Sequence, residues 1–366
     1  MTHISSVGPI DCDIHIAPPH LSALYEYMDD YWRDHLTVRG SDRLKLQMSF
    51  MPPNAPISAR PDWRNADQSA GSDLGMLQSV LDSFGTRFAI CNCIHWAQAF
   101  YSEDMTAAIC RSVNKWIANR WLNKDSRLRA SILVPSESPE LAAREIERCA
   151  SDPRFVQVLI LASGEMPLGR RRYWPMYEVA QELKLPIGIH AGSSYRFPPS
   201  PSGWHSYFLE DYVLQSLTFQ SQLLSLLTEG VFSKFPKLKV VLMESGFTWL
   251  PGFLWRADKT WRGVALGEVP WLIDSPSEIV KEHVRFTTQP INGPTDLAVF
   301  ADILDQVDAH KALLFSTDYP HWHFDANDAF PKCGPDERLR RILVDNALET
   351  YPRLSVKYSS QVEQMA

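Results

Sequence analysis

The sequence predicts one α/β domain over residues 1–366, built as a (β/α)8 barrel, and three observations lead to this fold class. Eight short apolar runs of strand type follow one another along the chain, and amphipathic stretches with helical periodicity separate them. The runs are continuously apolar instead of alternating, which is typical of parallel strands buried on both faces. The composition, 45% hydrophobic and 22% charged, is that of a globular protein, and such barrels reach this length as a single domain.

The predicted strands and helices alternate in chain order. Ser138 can cap a helix that continues with Pro139 in its first turn and the acidic Glu140. Similar helices are predicted over 173–183, 211–229 and 336–350. The eight strands are predicted over 10–16, 87–94, 129–135, 155–162, 185–190, 238–244, 284–288 and 312–318.

Three connections are much longer than a crossover between strands requires. They are the insertion over 17–85 after the first strand, 191–212 after the fifth and 245–282 after the sixth. All three leave the carboxyl ends of strands, which is the face where barrel enzymes keep their active sites. We therefore expect these loops to form the walls and a lid of a site.

Charge and hydropathy exclude several classes of partner. The formal net charge is −7 and no basic stripe occurs, so nucleic acid is not expected to bind. The chain begins without a basic and apolar leader, and no run of about 18 apolar residues is present. These features predict a cytoplasmic protein without membrane contact that acts on a small molecule.

Ligand-type side chains recur at the ends of otherwise apolar strands, where polar groups are costly to bury without partners. Asp13 and His15 end the first strand, and the period of two places both side chains on the same face. His190 ends the fifth strand and Asp318 the eighth. Two imidazoles and two carboxylates suit one divalent metal ion, and we expect Zn²⁺, with Mn²⁺ or Fe²⁺ as alternatives.

Taken together, these motifs resemble the amidohydrolase superfamily. The resemblance is to the amidohydrolase-2 branch, which contains aminocarboxymuconate semialdehyde decarboxylase and the γ-resorcylate and 5-carboxyvanillate decarboxylases, and to a subgroup there of unassigned reaction. It implies the four metal ligands named above and a proton-carrying role for Asp318. The motifs run from residue 10 to about 353 and are Asp13-x-His15, His190-Ala-Gly, Ser316-Thr-Asp318-Tyr-Pro-His321 and Asn346-Ala-Leu-Glu-Thr-Tyr351.

The chain departs from the branch after the sixth strand. The decarboxylases usually carry a histidine there within His-x-Gly, whereas this chain reads Glu244-Ser-Gly246. A glutamate could act as an acid or base near neutral pH only if its pKa were raised. It could instead bind a substrate amine or a neighbouring side chain.

Two enzymatic hypotheses follow, and the glutamate favours the first. The first is a metal-dependent hydrolase of a small, aromatic or apolar amide, ester, lactone or diketone. Asp318 would take the proton of water, and Glu244 or His95 would serve the leaving group. The second is a nonoxidative, metal-dependent decarboxylase of an aromatic or unsaturated acid. A barrel that only binds a ligand is disfavoured by the four ligand-type residues.

Several residues near the predicted mouth could contact the substrate. His321 and His323 flank Trp322 just after Asp318, and His321 is predicted to orient a ligand or the loop and to contact substrate. The remaining predicted substrate contacts lie in the long loops and are Arg196, His205 and Trp249. The aromatic loops favour a flat or apolar substrate. The four tryptophans of the loop after the sixth strand could instead pack in the core or form an oligomer contact, an alternative of equal weight to walls and a lid. We expect a homodimer, as is common in this branch.

Overall fold

The computed structural model describes residues 8–40, 58–64, 71–94, 97, 100–193, 197–324 and 336–355. Within them, eight parallel strands form one sheet in the order of the chain, from β1 to β8. This confirms the predicted (β/α)8 barrel. The strands are β1 (Ile10–His15), β2 (Phe88–Asn92), β3 (Leu128–Leu133), β4 (Phe155–Ser163), β5 (Ile187–Ser193), β6 (Val240–Met243), β7 (Val284–Thr287) and β8 (Leu313–Leu314).

The barrel closes where β1 meets the segment that follows β8. The backbone N–H of Asp318 donates to the carbonyl of Asp13 at 3.0 Å, and the N–H of His15 donates to the carbonyl of Tyr319 at 2.6 Å. We call the junction of β1 with residues 315–319 the closing seam. It places the carboxyl end of β1 beside the carboxylate that follows β8.

Helices cover the outside of the sheet and occupy the long connections. Helices α1 and α2 lie in the insertion after β1, α6 begins within the loop after β5, and α8 and α9 follow β6, as the predicted insertions require. None of the described helices combines the length and the apolar character needed to cross a bilayer. The helices are α1 (Asp30–Val38), α2 (Leu74–Phe84), α3 (Glu103–Ile117), α4 (Pro139–Cys149), α5 (Trp174–Glu182), α6 (Phe208–Thr228), α7 (Val231–Lys234), α8 (Leu250–Glu268), α9 (Pro276–His283), α10 (Leu297–Gln306), α11 (Ala309–Ala312), α12 (Asp336–Arg340) and α13 (Asn346–Thr350).

The last strand and the last helix differ from the sequence prediction for one shared reason. The backbone N–H of Phe315 donates to the carbonyl of Ile342 at 3.1 Å, and the side-chain amide of Asn346 donates to the carbonyl of Leu313 at 2.8 Å. The end of β8 therefore bonds partly to a helix, and the assigned strand is short. The helix widens to a π turn over Arg341–Asp345, between α12 and α13.

A polar layer fills part of the barrel interior. The side-chain amide of Gln157 donates to the hydroxyl of Ser131 at 2.8 Å and accepts a hydrogen bond from the hydroxyl of Tyr351 at 3.0 Å. Gly188 leaves the space that this layer needs. A Cβ atom at Gly188 would lie 2.5 Å from the Cδ atom of Gln157 and 2.7 Å from the Cε atom of Met243.

A Gly188→Ala substitution is therefore expected to destabilise the fold by about 1–3 kcal/mol, because the added methyl group overpacks the barrel interior. The free energy of unfolding from urea denaturation measures this change. Gly263→Ala is the matched control, since its Cβ atom meets nothing within 4 Å on the exposed face of α8. An equal effect of the two substitutions would contradict the prediction.

Candidate active site

The ligand-type side chains at the strand ends meet at one mouth of the barrel. The Nε2 atom of His190 lies 3.4 Å from Oδ2 of Asp13, and Nε2 of His15 lies 3.6 Å from Oδ1 of Asp13. The same His15 atom is 2.8 Å from Oδ1 of Asp318 across the closing seam. All four side chains are at most 10% exposed. The structure thus brings together the residues predicted to bind a metal, and their role as ligands stays a prediction.

Two buried atoms in this cluster indicate that it suits a cation. Within the described part of the chain, Oδ2 of Asp13 and Nε2 of His190 have no hydrogen-bond partner. In neutral His190, Nδ1 donates to the carbonyl of Ala191 at 2.8 Å, so its Nε2 atom presents a lone pair to the carboxylate. The donor atoms of Asp13, His15 and His190 lie within 4.8 Å of one another. These residues therefore fit one divalent metal ion.

The electrostatics of His190 lead to the same conclusion. Burial alone would lower the pKa of His190, but the carboxylates of Asp13 and Glu244 raise it to about 9. In the absence of a metal ion, the ring therefore takes up a proton. The position between His190 and Asp13 favours a positive charge, whether that charge is a proton or a metal ion.

Asp318 is the centre of a second group of contacts. Its Oδ1 atom lies 2.8 Å from Nε2 of His15 and 2.9 Å from Nδ1 of His321. Its Oδ2 atom lies 2.8 Å from Nε2 of His323. Burial opposes the charge on this carboxylate, but the surrounding imidazoles hold the pKa of Asp318 well below its usual range. Asp318 is therefore ionised, and His321 contacts it as well as the face of His15, at 4.6 Å between ring centroids.

His323 is a site residue to which the sequence analysis gave no role of its own. Its Nε2 atom lies between two carboxylates, 2.8 Å from Oδ2 of Asp318 and 3.6 Å from Oε1 of Glu244. Burial lowers the pKa of His323, but these carboxylates raise it to about 10. The signal available in the sequence was its position only five residues after Asp318. That spacing alone does not show whether the chain turns back toward the barrel.

Glu244 reaches the site through an unusual backbone conformation. Directly after β6 its φ angle is +56°, in the left-handed region, and its N–H donates to the hydroxyl of Thr287 at 3.0 Å. Its Oε2 atom is 3.7 Å from Nε2 of His190. Asp318 has the same φ of +56°. Residues other than glycine pay roughly 1 kcal/mol or more for this conformation, which occurs preferentially at functional sites.

Asn92 is a second residue that the sequence did not single out. It ends β2 and is fully buried, and its side-chain amide donates to Oδ1 of Asp13 at 2.8 Å. This hydrogen bond fixes the carboxylate and leaves Oδ2 of Asp13 directed toward His190. Asn92 is thus expected to orient a metal ligand without binding the ion.

An Asn92→Ala substitution is expected to weaken metal binding by about tenfold, because Asp13 loses the hydrogen bond that orients it. Titration of metal-free protein with Mn²⁺, followed by calorimetry, measures the dissociation constant. Asn119→Ala, at an exposed position, serves as the matched control. Equal affinities for both variants and the wild type would show that Asn92 does not orient the ligand.

Of the other predicted site residues in the loops, the structure describes His205 but not His95 or Arg196. His205 bonds through Nε2 to the hydroxyl of Ser200 at 2.9 Å, and its Nδ1 atom lies 3.8 Å from Oδ1 of Asp211 on α6. These contacts hold His205 between the loop after β5 and α6, and we call this loop and helix the wall of the mouth. The predicted residues His95 and Arg196 lie outside the described residues.

Trp249 is not brought to the cluster. Its indole N–H donates to the carbonyls of Ser245 and Gly246, both at 3.1 Å. Its ring packs against Phe253 and the fully buried Phe286, with centroids 5.6 and 6.0 Å apart. These contacts anchor the loop after β6 to the barrel, and a substrate contact by Trp249 stays a prediction.

With this geometry established, comparison with known proteins identifies the family. A family model for amidohydrolases matches residues 10–353. The chain belongs to the amidohydrolase family. This amidohydrolase is similar to the γ-resorcylate decarboxylase of Polaromonas sp. strain JS666, with 26% identity over 260 residues, covering 67% of this chain and 76% of the relative. The predicted superfamily and branch are confirmed.

Solved structures of relatives share the fold. The 5-carboxyvanillate decarboxylase from Sphingomonas paucimobilis superposes with a TM-score of 0.69 at 21% identity, covering 94% of this chain and 99% of that one. The dihydroxybenzoic acid decarboxylase from Polaromonas sp. JS666 gives a TM-score of 0.67 at 20% identity, covering 95% and 98%. The latter structure contains bound manganese and the inhibitor 2-nitroresorcinol.

These relatives correct the main functional hypothesis. The predicted hydrolase is wrong, because the relative that matches over two thirds of this amidohydrolase is a decarboxylase, the reaction that the sequence left as the alternative. The error came from interpreting Glu244 as the loss of an acid–base histidine. The structure places His323 beside Glu244, so an imidazole is present at this position from another part of the chain.

A divalent metal ion suits the donor set, whereas zinc in particular stays a prediction.

Proposed function

We propose that this amidohydrolase is a metal-dependent, nonoxidative decarboxylase of aromatic carboxylic acids that carry a hydroxyl group next to the carboxylate. One feature of the site carries the proposal: the Nε2 atom of His323 lies between Asp318 and Glu244, beside the candidate metal ligands. Decarboxylation of an arene needs a proton donor and an electrophile in the same small volume. The similarity to γ-resorcylate decarboxylase supports the substrate class.

Asp13, His15, His190 and Asp318 would hold the metal ion. When bound, a divalent ion polarises the carboxylate and hydroxyl oxygens of such an acid and fixes their position. We propose Mn²⁺ as this ion. Two of the four donors are carboxylates, which hard cations prefer, and manganese is present in the related dihydroxybenzoic acid decarboxylase.

The side chains of this protein would supply the proton. His323 carries a proton on Nε2, where the negative charges of Asp318 and Glu244 stabilise it. His323 delivers this proton to the ring carbon that bears the carboxylate. The bond between that carbon and the carboxyl group then breaks, its electron pair restores the aromatic ring, and carbon dioxide leaves. Nε2 regains a proton from solvent, so that one proton is consumed for each carbon dioxide released.

Burial of these groups supports the same reaction. Asp318 and His190 are fully buried, and Glu244 is 8% exposed. A site that excludes water solvates a substrate carboxylate poorly and favours release of the neutral product. The same exclusion of water opposes side reactions of the protonated ring.

The test is an assay of the intact protein loaded with Mn²⁺ or with Zn²⁺. A panel of 2-hydroxybenzoate, the dihydroxybenzoates and benzoate is incubated with each form, and carbon dioxide release and phenol formation are measured. We expect release from hydroxylated acids and none from benzoate, with the manganese form more active. Absence of release from every hydroxylated acid with both metals would refute the proposed function.

A further inference from the structure

The wall of the mouth contains a tyrosine that the proposed chemistry leaves unused. Tyr212 lies in the second turn of α6, with its ring 5.4 Å from that of Phe208 and 5.2 Å from that of His323, measured between centroids. Its hydroxyl oxygen is buried and has no hydrogen-bond partner among the described residues. Nδ1 of His323 is likewise buried without a partner.

Two neighbouring rings thus each present an unsatisfied polar atom. Buried polar atoms without a partner cost roughly 1–3 kcal/mol each, so native structures rarely keep them without a reason. Nε2 of His323 is already held by Asp318, which leaves Nδ1 as the free edge of that ring. A polar group of a ligand that reaches the wall of the mouth would satisfy the hydroxyl of Tyr212.

The charges around Tyr212 determine which form of its hydroxyl is present. Burial raises the pKa of Tyr212, and the carboxylates of Glu244 and Asp318 raise it further. The hydroxyl therefore stays protonated and can donate a hydrogen bond. The ring contact with His323 places Tyr212 on the side of α6 that faces the site.

We propose that the hydroxyl of Tyr212 forms a subsite for a second oxygen substituent on the aromatic ring of the substrate. The proposal rests on the proposed function, in which the metal site takes the carboxylate and the adjacent hydroxyl group. A phenolic oxygen fits the subsite, because it accepts a hydrogen bond from the hydroxyl of Tyr212. An apolar ring edge would leave the hydroxyl of Tyr212 unpaired, so the subsite selects dihydroxylated over monohydroxylated acids.

The experiment compares wild type, Tyr212→Phe and Tyr31→Phe. The last is a matched control, since Tyr31 is exposed on α1. The value of kcat/KM is measured for each dihydroxybenzoate that carries a 2-hydroxyl group and for 2-hydroxybenzoate. We expect wild type and control to prefer one dihydroxy isomer. In Tyr212→Phe this preference should fall by about tenfold, the worth of one hydrogen bond. An equal loss on all substrates, or an unchanged preference, would overturn the subsite.

Two further measurements distinguish a failure of the subsite from a failure of the proposed function. Ligand-free Tyr212→Phe should unfold at the same temperature as wild type or higher, because it lacks an unsatisfied buried hydroxyl. A lower unfolding temperature would assign Tyr212 a structural role and count against the subsite. If no acid is turned over, the proposed function fails, and calorimetric binding of the same acids decides the subsite separately. The isomer preference in affinity must then fall in Tyr212→Phe, and no change would reject the proposal.

Discussion

An Asp318→Asn variant is expected to lose decarboxylation activity by about 10³-fold in kcat. The Oδ1 atom of Asp318 pairs with His15 and His321, and its Oδ2 atom pairs with His323. The side-chain amide of asparagine has only one acceptor oxygen. Its NH2 group would face an imidazole nitrogen at the place where Asp318 has a carboxylate oxygen. The variant removes one candidate metal ligand and the carboxylate that holds the proton on His323. Steady-state rates with saturating Mn²⁺ measure the loss.

The control for this variant is Asp302→Asn, which makes the same chemical change at an exposed position on α10. It should retain the wild-type rate. Metal content, determined by elemental analysis of both variants, separates loss of the ion from loss of proton transfer. Turnover by Asp318→Asn within a factor of about ten of wild type would contradict the central role of this carboxylate.

The affinity for Mn²⁺ is expected to rise about tenfold for each pH unit, and so about a hundredfold from pH 6 to pH 8. Without a metal ion, His190 has a pKa raised to about 9 by Asp13 and Glu244, and it therefore carries a proton across this range. The ion must displace that proton, so binding improves as pH rises toward 9. The direction is fixed because a raised histidine pKa favours the protonated, metal-free form at low pH.

Calorimetric titrations in buffers of different ionisation enthalpy count the protons released. At least one proton per bound ion is expected at pH 7. His310→Gln, at an exposed histidine of α11, should keep the same slope. A metal affinity that does not change between pH 6 and pH 8 would show that the ion displaces no proton from His190 and that His190 is not a ligand.

The sequence predicted the barrel and the cluster at its mouth because both follow from short-range rules. Continuous apolar runs indicate strands buried on both faces, and the period of two places Asp13 and His15 on one side of β1. Since the carboxyl ends of all eight strands meet at one face, His190 and Asp318 could be expected beside them.

The remaining parts of the site depend on where loops and helices turn back, which no local rule specifies. In the sequence, Asn92 is only a polar residue at a strand end. Its hydrogen bond to Asp13 is visible only in the structure. Tyr212 lies in a helix of ordinary amphipathic pattern, and only packing shows its contact with His323. Trp249 is the converse case, because its place in a loop of the active-site face predicted a substrate contact, and the structure shows packing contacts of its ring.

The closing seam has a consequence for the order in which this protein matures. His15 and Asp318 are separated by 303 residues, yet they face each other at 2.8 Å only when the first and last strands have docked. A nascent chain that has not yet docked residue 318 cannot offer all four candidate ligands together, so we expect metal loading to be a late event. An ion held across this junction would tie the two ends of the barrel together and slow its opening, which makes resistance to unfolding a kinetic reporter of metal occupancy.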